Sequence, residues 1–317
     1  VTSPLHARDV RGKGRYYGPC QDGCPLGVDI DPDRLYMSVT NAQSVVAKPA
    51  LVPAAVKVTA AAAWDQLPRM IATSRQPDVG IPADGGPKPC SQRTVATRCG
   101  ECRFCVTSAI KNQHRNEWET KADLGSAVHY HAAARLLGQP LPPDEQVEPF
   151  IRQYAMFLRA MGVDVDRDVY SVETTVFDRD LMFAGTLDVA VELPVDPLSG
   201  KITRARRLWL IDIKTSLTKP ADTVYADQPL QLAGLRYAPR TVLVDDTEQE
   251  TPEYAGAAIL NLRTDDHAMI PLPADEHVNQ AFRHAVELQR WFHDRADVKA
   301  WEKIDTHPVP EPAATTS

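Results

Sequence analysis

The chain has 317 residues, 43% of them hydrophobic and 24% charged, with a formal net charge of -7. Folding at this length removes roughly three quarters of the apolar surface from water, which excludes a wholly disordered or collagen-like polymer. The negative balance excludes a uniformly basic, non-specific nucleic-acid binder but not a local basic groove.

The most apolar stretch, Ala50 to Trp64, is interrupted by Pro53, Lys57 and Thr59 and falls short of the roughly 20 residues a bilayer span requires. The segment Leu5 to Arg15 is charged and glycine-punctuated where a secretory signal would be continuously apolar. The expectation is a cytoplasmic protein with no membrane partner. Residues 1–37 are rich in Gly, Pro and Asp, with Tyr16 and Tyr17 ahead of Cys20 and Cys24, the pattern of a loop or short hairpin. Residues 38–74 form a helical part, with helix predicted from Ser38 to Met70. Residues 75–108, with Pro77, Pro82, Pro87 and Pro89, read as a cysteine-rich insertion, and helices return near Ile110.

Asp144, after Pro142 and Pro143, stands where it can cap a helix. Val147, Phe150, Ile151, Tyr154, Phe157, Leu158 and Met161 then recur at helical spacing up to Gly162. Beyond it the period becomes two, and Asp168 to Phe177, Met182 to Leu193 and Arg206 to Ser216 read as consecutive strands. A helix from Ala221 to Tyr237, a strand from Glu253 to Arg263 and a helix from Asp275 to Trp291 complete the order. This order predicts an α/β (mixed α+β) fold, a central mixed sheet flanked by helices, with its core in residues 109–304 and a proline-rich, disordered tail at 305–317.

All six cysteines lie in the first third of the chain. With no export signal, metal binding in a reducing compartment is favoured over disulfides. Cys99, Cys102 and Cys105 bring three thiols into one short segment, with Cys99-Gly-Glu-Cys102 in the form of a zinc half-site. Either Cys90 supplies a fourth ligand, or the pair Cys20 and Cys24 joins Cys99 and Cys102. The triplet also has the spacing that opens bacterial ferredoxin motifs, so a [4Fe-4S] cluster stands as the alternative to structural Zn2+.

Alternation along Met182 to Leu193 sets Ala184, Thr186, Asp188 and Ala190 on one face and Leu187, Val189 and Val191 on the other. Along the next strand it sets Asp212 and Lys214 opposite Trp209, Ile211 and Ile213. The turn at residues 194–204 can bring Asp188 beside Asp212. Two carboxylates buried together call for a cation between them, and Mg2+ suits one or two carboxylates plus water and phosphate oxygens. Lys214 would then steer or deprotonate a water, or stabilise charge on a phosphate. A pair of structural acids satisfied by Lys214 and nearby arginines is the competing reading.

Gly185-Thr-Leu-Asp188, then Leu210-Ile-Asp212-Ile-Lys214-Thr-Ser216, then Gln231-Leu232 resemble, in this order, the motifs of the PD-(D/E)XK nucleases. The closest branch is the RecB-like exonucleases, CRISPR-associated and phage-encoded. Gly125-Ser-Ala-Val-His129 resembles that branch's upstream histidine motif, Glu173 sits on the strand where an additional acid occurs, and Ser38-Val-Thr40 with Lys48-Pro-Ala-Leu51 resembles the N-terminal helix of phage members. The pattern's tyrosine four residues after the glutamine is Leu235 here, and the nearest tyrosine is Tyr237.

The resemblance implies a restriction-endonuclease-like core and Mg2+- or Mn2+-dependent hydrolysis of DNA phosphodiesters from ends, in recombination, replication or repair. His129, Asp188 and Asp212 would be metal ligands, Glu173 a ligand or supporting acid, Lys214 the catalytic lysine, and Gln231 and Tyr237 near lysine or DNA. The basic cluster Lys201, Arg204, Arg206 and Arg207 in the hairpin turn, and Arg98, Arg103, Lys111, His114 and Arg115 beside the cysteines, are candidate phosphate contacts. No Walker-type loop is present, so no ATP use is expected; a recombinase or single-strand-binding protein is the expected partner class. The alternatives are a structure-specific or restriction-type endonuclease on the same core, and a zinc-bearing nucleic-acid binder with an inactive core.

Overall fold

The structure is a computed structural model that describes residues 6–10, 14–19, 23–28, 35–46, 48, 51–74, 89–243 and 245–295. Cys20, most of the proline-rich stretch and the expected tail at 305–317 lie outside the described residues. The chain opens on a hairpin, β1 (Ala7–Val10) and β2 (Gly14–Tyr17), and continues through β3 (Tyr36–Ser38) into the short α1 (Val39–Ala42), capped by the Ser38 hydroxyl, which accepts from the Asn41 N–H at 3.0 Å. The expected helix from Ser38 to Met70 is therefore three pieces: α1, then α2 (Leu51–Asp65) and α3 (Leu67–Thr73), with Pro68 in the first turn of α3.

α4 (Arg103–Leu136) is one continuous helix that runs straight across the expected boundary at residue 108 and starts seven residues before Ile110. α5 (Glu148–Ala160) and α6 (Val165–Asp168) follow. Then come the meander β4 (Val169–Asp178), β5 (Phe183–Val195) and β6 (Ile202–Thr215), and α7 (Gln228–Arg236). β7 (Arg240–Val242), β8 (Glu248–Glu250), β9 (Gly256–Leu262), β10 (His267–Pro271) and α8 (Glu276–Arg295) close the chain. The helix expected from Ala221 begins only at Gln228. Pro229 suits a first helical turn, where its missing N–H costs nothing, and Asp227 stands at the cap position.

The sheet is mixed, as the element order predicts. β4, β5 and β6 are antiparallel neighbours, and β9 returns parallel to β6 after the α7 crossover, with Asp212 level with Ile259. One face packs against α4 and α5: Val128, Ala132, Phe150, Tyr154 and Phe157 cover Val189, Val191, Trp209, Ile211, Ile213 and Leu260. The other face lies against α7 and α8, whose Leu232, Leu235, Phe282 and Val286 cover Leu187, Ala190, Leu210 and Ile259. Fully burying each such side chain contributes about 1.5–3 kcal/mol, so two loaded faces account for the core without help from the surface ion pairs. No described helix is long and apolar enough to cross a membrane.

One topological detail positions everything that follows. β5 gives one edge to β4 along most of its length. Its other edge is shared: Phe183 and Ala184 pair with β3, whereas the ladder to β6 covers Val189 to Val195. Residues 185–188 lie between these two partners, and a cleft opens there.

Candidate active site and four-cysteine centre

The strand alternation expected through Asp188 breaks at Asp188 itself. Leu187 packs on the α7 face with Ala190, while Val189 and Val191 pack on the α5 face, so Leu187 does not share a side with them. The ladder between β4 and β5 likewise skips the level where Glu173 meets Asp188, passing from Val172↔Val189 to Thr174↔Leu187. The local cause is Glu173, whose φ of 48° lies in the left-handed region that non-glycine residues seldom adopt. With both strands reversed at one level, the two carboxyl groups turn toward the cleft instead of the two cores.

His129 on α4 reaches the same point. Its Nδ1 lies 3.1 Å from Asp188 Oδ1, and Asp188 Oδ2 accepts from the Ile213 N–H at 2.6 Å. His129, Glu173 and Asp188 each present a ligand atom, all within 4.8 Å of one another. On β6 the alternation holds, and Asp212 and Lys214 share the face opposite Ile211 and Ile213. Lys214 Nζ is ion-paired with Asp212 Oδ2, and Gln231 of α7 donates from Nε2 to Asp212 Oδ1 at 2.8 Å. The tight donor group is therefore His129, Glu173 and Asp188, with Asp212 alongside it and already held by Lys214 and Gln231.

The electrostatics follow from burial and crowding. Burial alone would lower His129, but the charge and hydrogen bond of Asp188 raise it to about 9. Burial, and then the charge of Asp188, push Glu173 up to about 8. Burial works against the Lys214 ammonium, yet Asp212 and Asp188 beside it hold its pKa above the ordinary value, so it is a standing positive charge. A buried acid that keeps its proton, with another carboxylate beside it, is one whose ionised form a bound cation would stabilise. Together with the N and O donor set, this fits a hard divalent cation held by His129, Glu173 and Asp188, with Asp212 beside it.

The cleft around these groups has a volume of about 690 Å3 and is also lined by Arg15, Tyr17, Lys121 and Tyr130. Gly185 and Gly125 shape its floor. A Cβ on Gly185 would lie 2.5 Å from Leu235 and 2.8 Å from Val39, so the glycine lets α7 and α1 settle onto β5, and Leu235 fills the space above it. Gly125 is closest to the Thr215 hydroxyl, 3.4 Å from where its Cβ would be.

The basic hairpin residues do not join this site. Arg206 is bound to Asp168 at 2.9 Å and donates to the carbonyl oxygens of Glu192 at 2.7 Å and Met161 at 3.3 Å. It is a structural partner for a nearly inaccessible carboxylate whose other cationic partner is Arg167, and it has no fork left for a phosphate. Arg204 and Arg207 are exposed, but at about 3.3 Å per residue Arg204 stands about 26 Å along β6 from Asp212. Tyr237 caps the end of α7 under the Arg236 guanidinium and is not among the cleft residues. Sequence reasoning passed over Arg15, Lys121 and Tyr130, since single residues in a hairpin and on a polar helix carry no pattern.

The second centre lies at the other end of α4. Cys90, Cys99, Cys102 and Cys105 converge with their sulfurs within 4.8 Å of one another, and two of the separations are 3.6 Å for Cys90 to Cys99 and 3.9 Å for Cys99 to Cys105. A tetrahedral ion with thiolates at about 2.3 Å sets them about 3.8 Å apart, so four thiols in this arrangement can hold a metal. Gly100, at φ 78°, turns the knuckle so that the Cys102 N–H points at Cys99 Sγ, 3.3 Å away. Such backbone N–H groups, from Glu101 and Cys102, pull Cys99 down to about 6, while burial pushes Cys105 up to about 12. Cys90 is thus the fourth thiol of the group. Cys24 is not: it is buried beside His6, away from this group.

From Cys105 to His129 the helix advances about 36 Å at about 1.5 Å per residue, so the cysteine centre stands well away from the cleft. Ala62 of α2 packs on Val106 and Ile110 beside it, and Arg69 of α3 donates to the Gly100 carbonyl at 2.7 Å. No family model and no curated protein matches this chain.

Proposed function

We propose that the chain is a divalent-metal-dependent deoxyribonuclease of the RecB-like PD-(D/E)XK kind, degrading DNA from its ends. The observation that carries this reading is the convergence of His129, Glu173 and Asp188 at the gap in the β5 edge, with Asp212 and Lys214 on the adjoining strand. The order of these residues along the chain is the one on which the resemblance to that superfamily rests. Leu235 in place of the pattern's tyrosine fits a packing role above Gly185 and removes no charged group from the site.

A bound Mg2+ or Mn2+ would supply a Lewis acid for the phosphoryl oxygen and an acidified water. His129, Glu173 and Asp188 would hold it, with Asp212 as a further ligand. Asp188 is oriented by the Ile213 N–H and His129, and Asp212 by Gln231. Lys214, whose pKa the Asp212 and Asp188 carboxylates hold above the ordinary value before a cation binds, would stabilise negative charge developing on the phosphate, or steer or deprotonate the attacking water. Arg15 and Lys121 at the cleft wall are available for neighbouring phosphates.

For the four-cysteine centre we favour structural Zn2+. Four thiols gathered around one point suit a single ion, whereas a [4Fe-4S] cluster interposes its own irons and sulfides and holds the thiolates farther apart.

The test is digestion of end-labelled linear DNA with Mg2+ or Mn2+, alongside covalently closed circles. The parent should release label from linear DNA and leave circles intact. Asp188→Ala, Asp212→Ala and Lys214→Ala should each lose about a thousandfold, equivalent to about 4 kcal/mol of transition-state stabilisation. Parental activity in any of the three removes that residue from the chemistry, rapid cutting of circles turns the reading toward an endonuclease, and an inert parent sinks it.

A further inference from the structure

Apart from the cleft and the four cysteines, the described residues bring together one other set of metal-type donors: His6, Cys24 and Asp246. They come from three distant places. His6 precedes β1, Cys24 stands at the cap of a short turn at Pro25–Gly27, and Asp246 lies between β7 and β8. His6 Nδ1 is 3.5 Å from Cys24 Sγ, and His6 Nε2 is 3.5 Å from Asp246 Oδ1. One ring nitrogen, the sulfur and a carboxylate oxygen fall within 4.8 Å of one another. For an ion bonded at about 2.0–2.3 Å, a tetrahedral ligand edge is about 3.3–3.8 Å; whichever ring nitrogen serves, one 3.5 Å separation already matches such an edge and the others, within 4.8 Å, need to close by about 1 Å at most.

The surroundings also suit a bound ion. His6 and Cys24 are each 2% exposed, beneath Tyr17, Leu26, Tyr36 and Phe177, while Asp246 stays partly open. A buried thiol packs well as a small apolar group and needs no imidazole or carboxylate. Here both are delivered to it, and the carboxylate comes from a residue at φ 62°. The set of one N, one S and one O donor is of the borderline-soft kind that selects Zn2+ over Mg2+, and it leaves a fourth position for water or another donor.

We propose that His6, Cys24 and Asp246 form a second zinc site, independent of the four cysteines, that fastens the N-terminal hairpin to the β7–β8 edge of the sheet. The hairpin supplies Arg15 and Tyr17 to the cleft, and His6 itself lines it, so the ion would secure one wall of that cavity. The proposal does not depend on the reaction carried out there.

Elemental analysis of the full chain, purified under reducing conditions with zinc supplied, tests it. Beyond the metal held by the Cys90 group, the parent should carry one further zinc ion per chain. That ion should persist in the Cys99→Ser/Cys102→Ser variant and be lost in Cys24→Ala, His6→Ala and the milder Asp246→Asn. Cobalt loaded into the Cys99→Ser/Cys102→Ser protein should show a tetrahedral spectrum with thiolate charge transfer that vanishes when Cys24→Ala is added. A parent whose zinc is wholly accounted for by the Cys90 group overturns the proposal. So does zinc content unchanged in Asp246→Asn and Cys24→Ala, which would leave His6 as a hydrogen-bonded bridge between thiol and carboxylate.

Discussion

Replacing Glu173 by glutamine should stabilise the protein in the absence of added divalent cations while destroying its response to them. Glu173 is raised from 4.5 to about 8, so the folded protein retains a proton that the unfolded chain releases. The associated stability is complete below 4.5 and drains away as the pH climbs to about 8. His129, raised from 6.5 to about 9, adds a second loss in the same direction over its own window. At about 1.4 kcal/mol per pKa unit the Glu173 shift corresponds to at most about 5 kcal/mol, which relaxation of the open cleft reduces to about 2 kcal/mol. The glutamine amide does not titrate, so only the His129 part of the decline remains in the variant.

Urea midpoints measured from acid to alkaline pH without added divalent cation should therefore coincide for parent and Glu173→Gln at low pH. They should separate by about 2 kcal/mol in favour of the variant near pH 8 to 9. Mn2+ at about 100 times its dissociation constant should return about 2.7 kcal/mol to the parent and little to the variant. Equal stabilities across the range, or a parent that grows relatively more stable with pH, would refute the assignment of Glu173 as a cation-starved acid.

Gly185→Val places a branched side chain where Leu235 and Val39 already sit, and overpacking of this kind should cost about 1–3 kcal/mol in thermal unfolding without altering metal binding to the cysteines. Arg206→Ala strips Asp168 of one of its two arginines and should cost about 3 kcal/mol in chemical denaturation while leaving DNA affinity unchanged; weaker DNA binding with unaltered stability would restore it as a phosphate contact. Mild EDTA treatment should halt cleavage reversibly, with Mg2+ or Mn2+ restoring it, while the cysteine-bound metal stays in place. Cys99→Ser should lower thermal stability and solubility, because the loops around it hold little apolar sequence; a serine variant as stable as the parent, with no metal in either, would remove the metal from this centre.

Much of the fold was legible because it is written locally. The period-two runs that became β4, β5 and β6, the helical spacing from Val147 to Met161, and the sharing of one face by Asp212 and Lys214 depend on alternation and turn geometry within a dozen residues. The Gly-Glu knuckle between Cys99 and Cys102 is equally local. The tertiary structure decided whatever depended on residues meeting from far apart. Alternation fails at Asp188 because Glu173, on the neighbouring strand, takes a left-handed conformation that no period in the sequence encodes. Cys90, and not Cys24, completes the four-cysteine group because α4 begins directly at the knuckle and folds the segment back on itself, while Cys24 is carried to His6 by the hairpin. From sequence alone Arg206 is one more surface charge; the fold sets the buried Asp168 beside it, and a desolvated carboxylate holds the nearest cation far more strongly than solvent does.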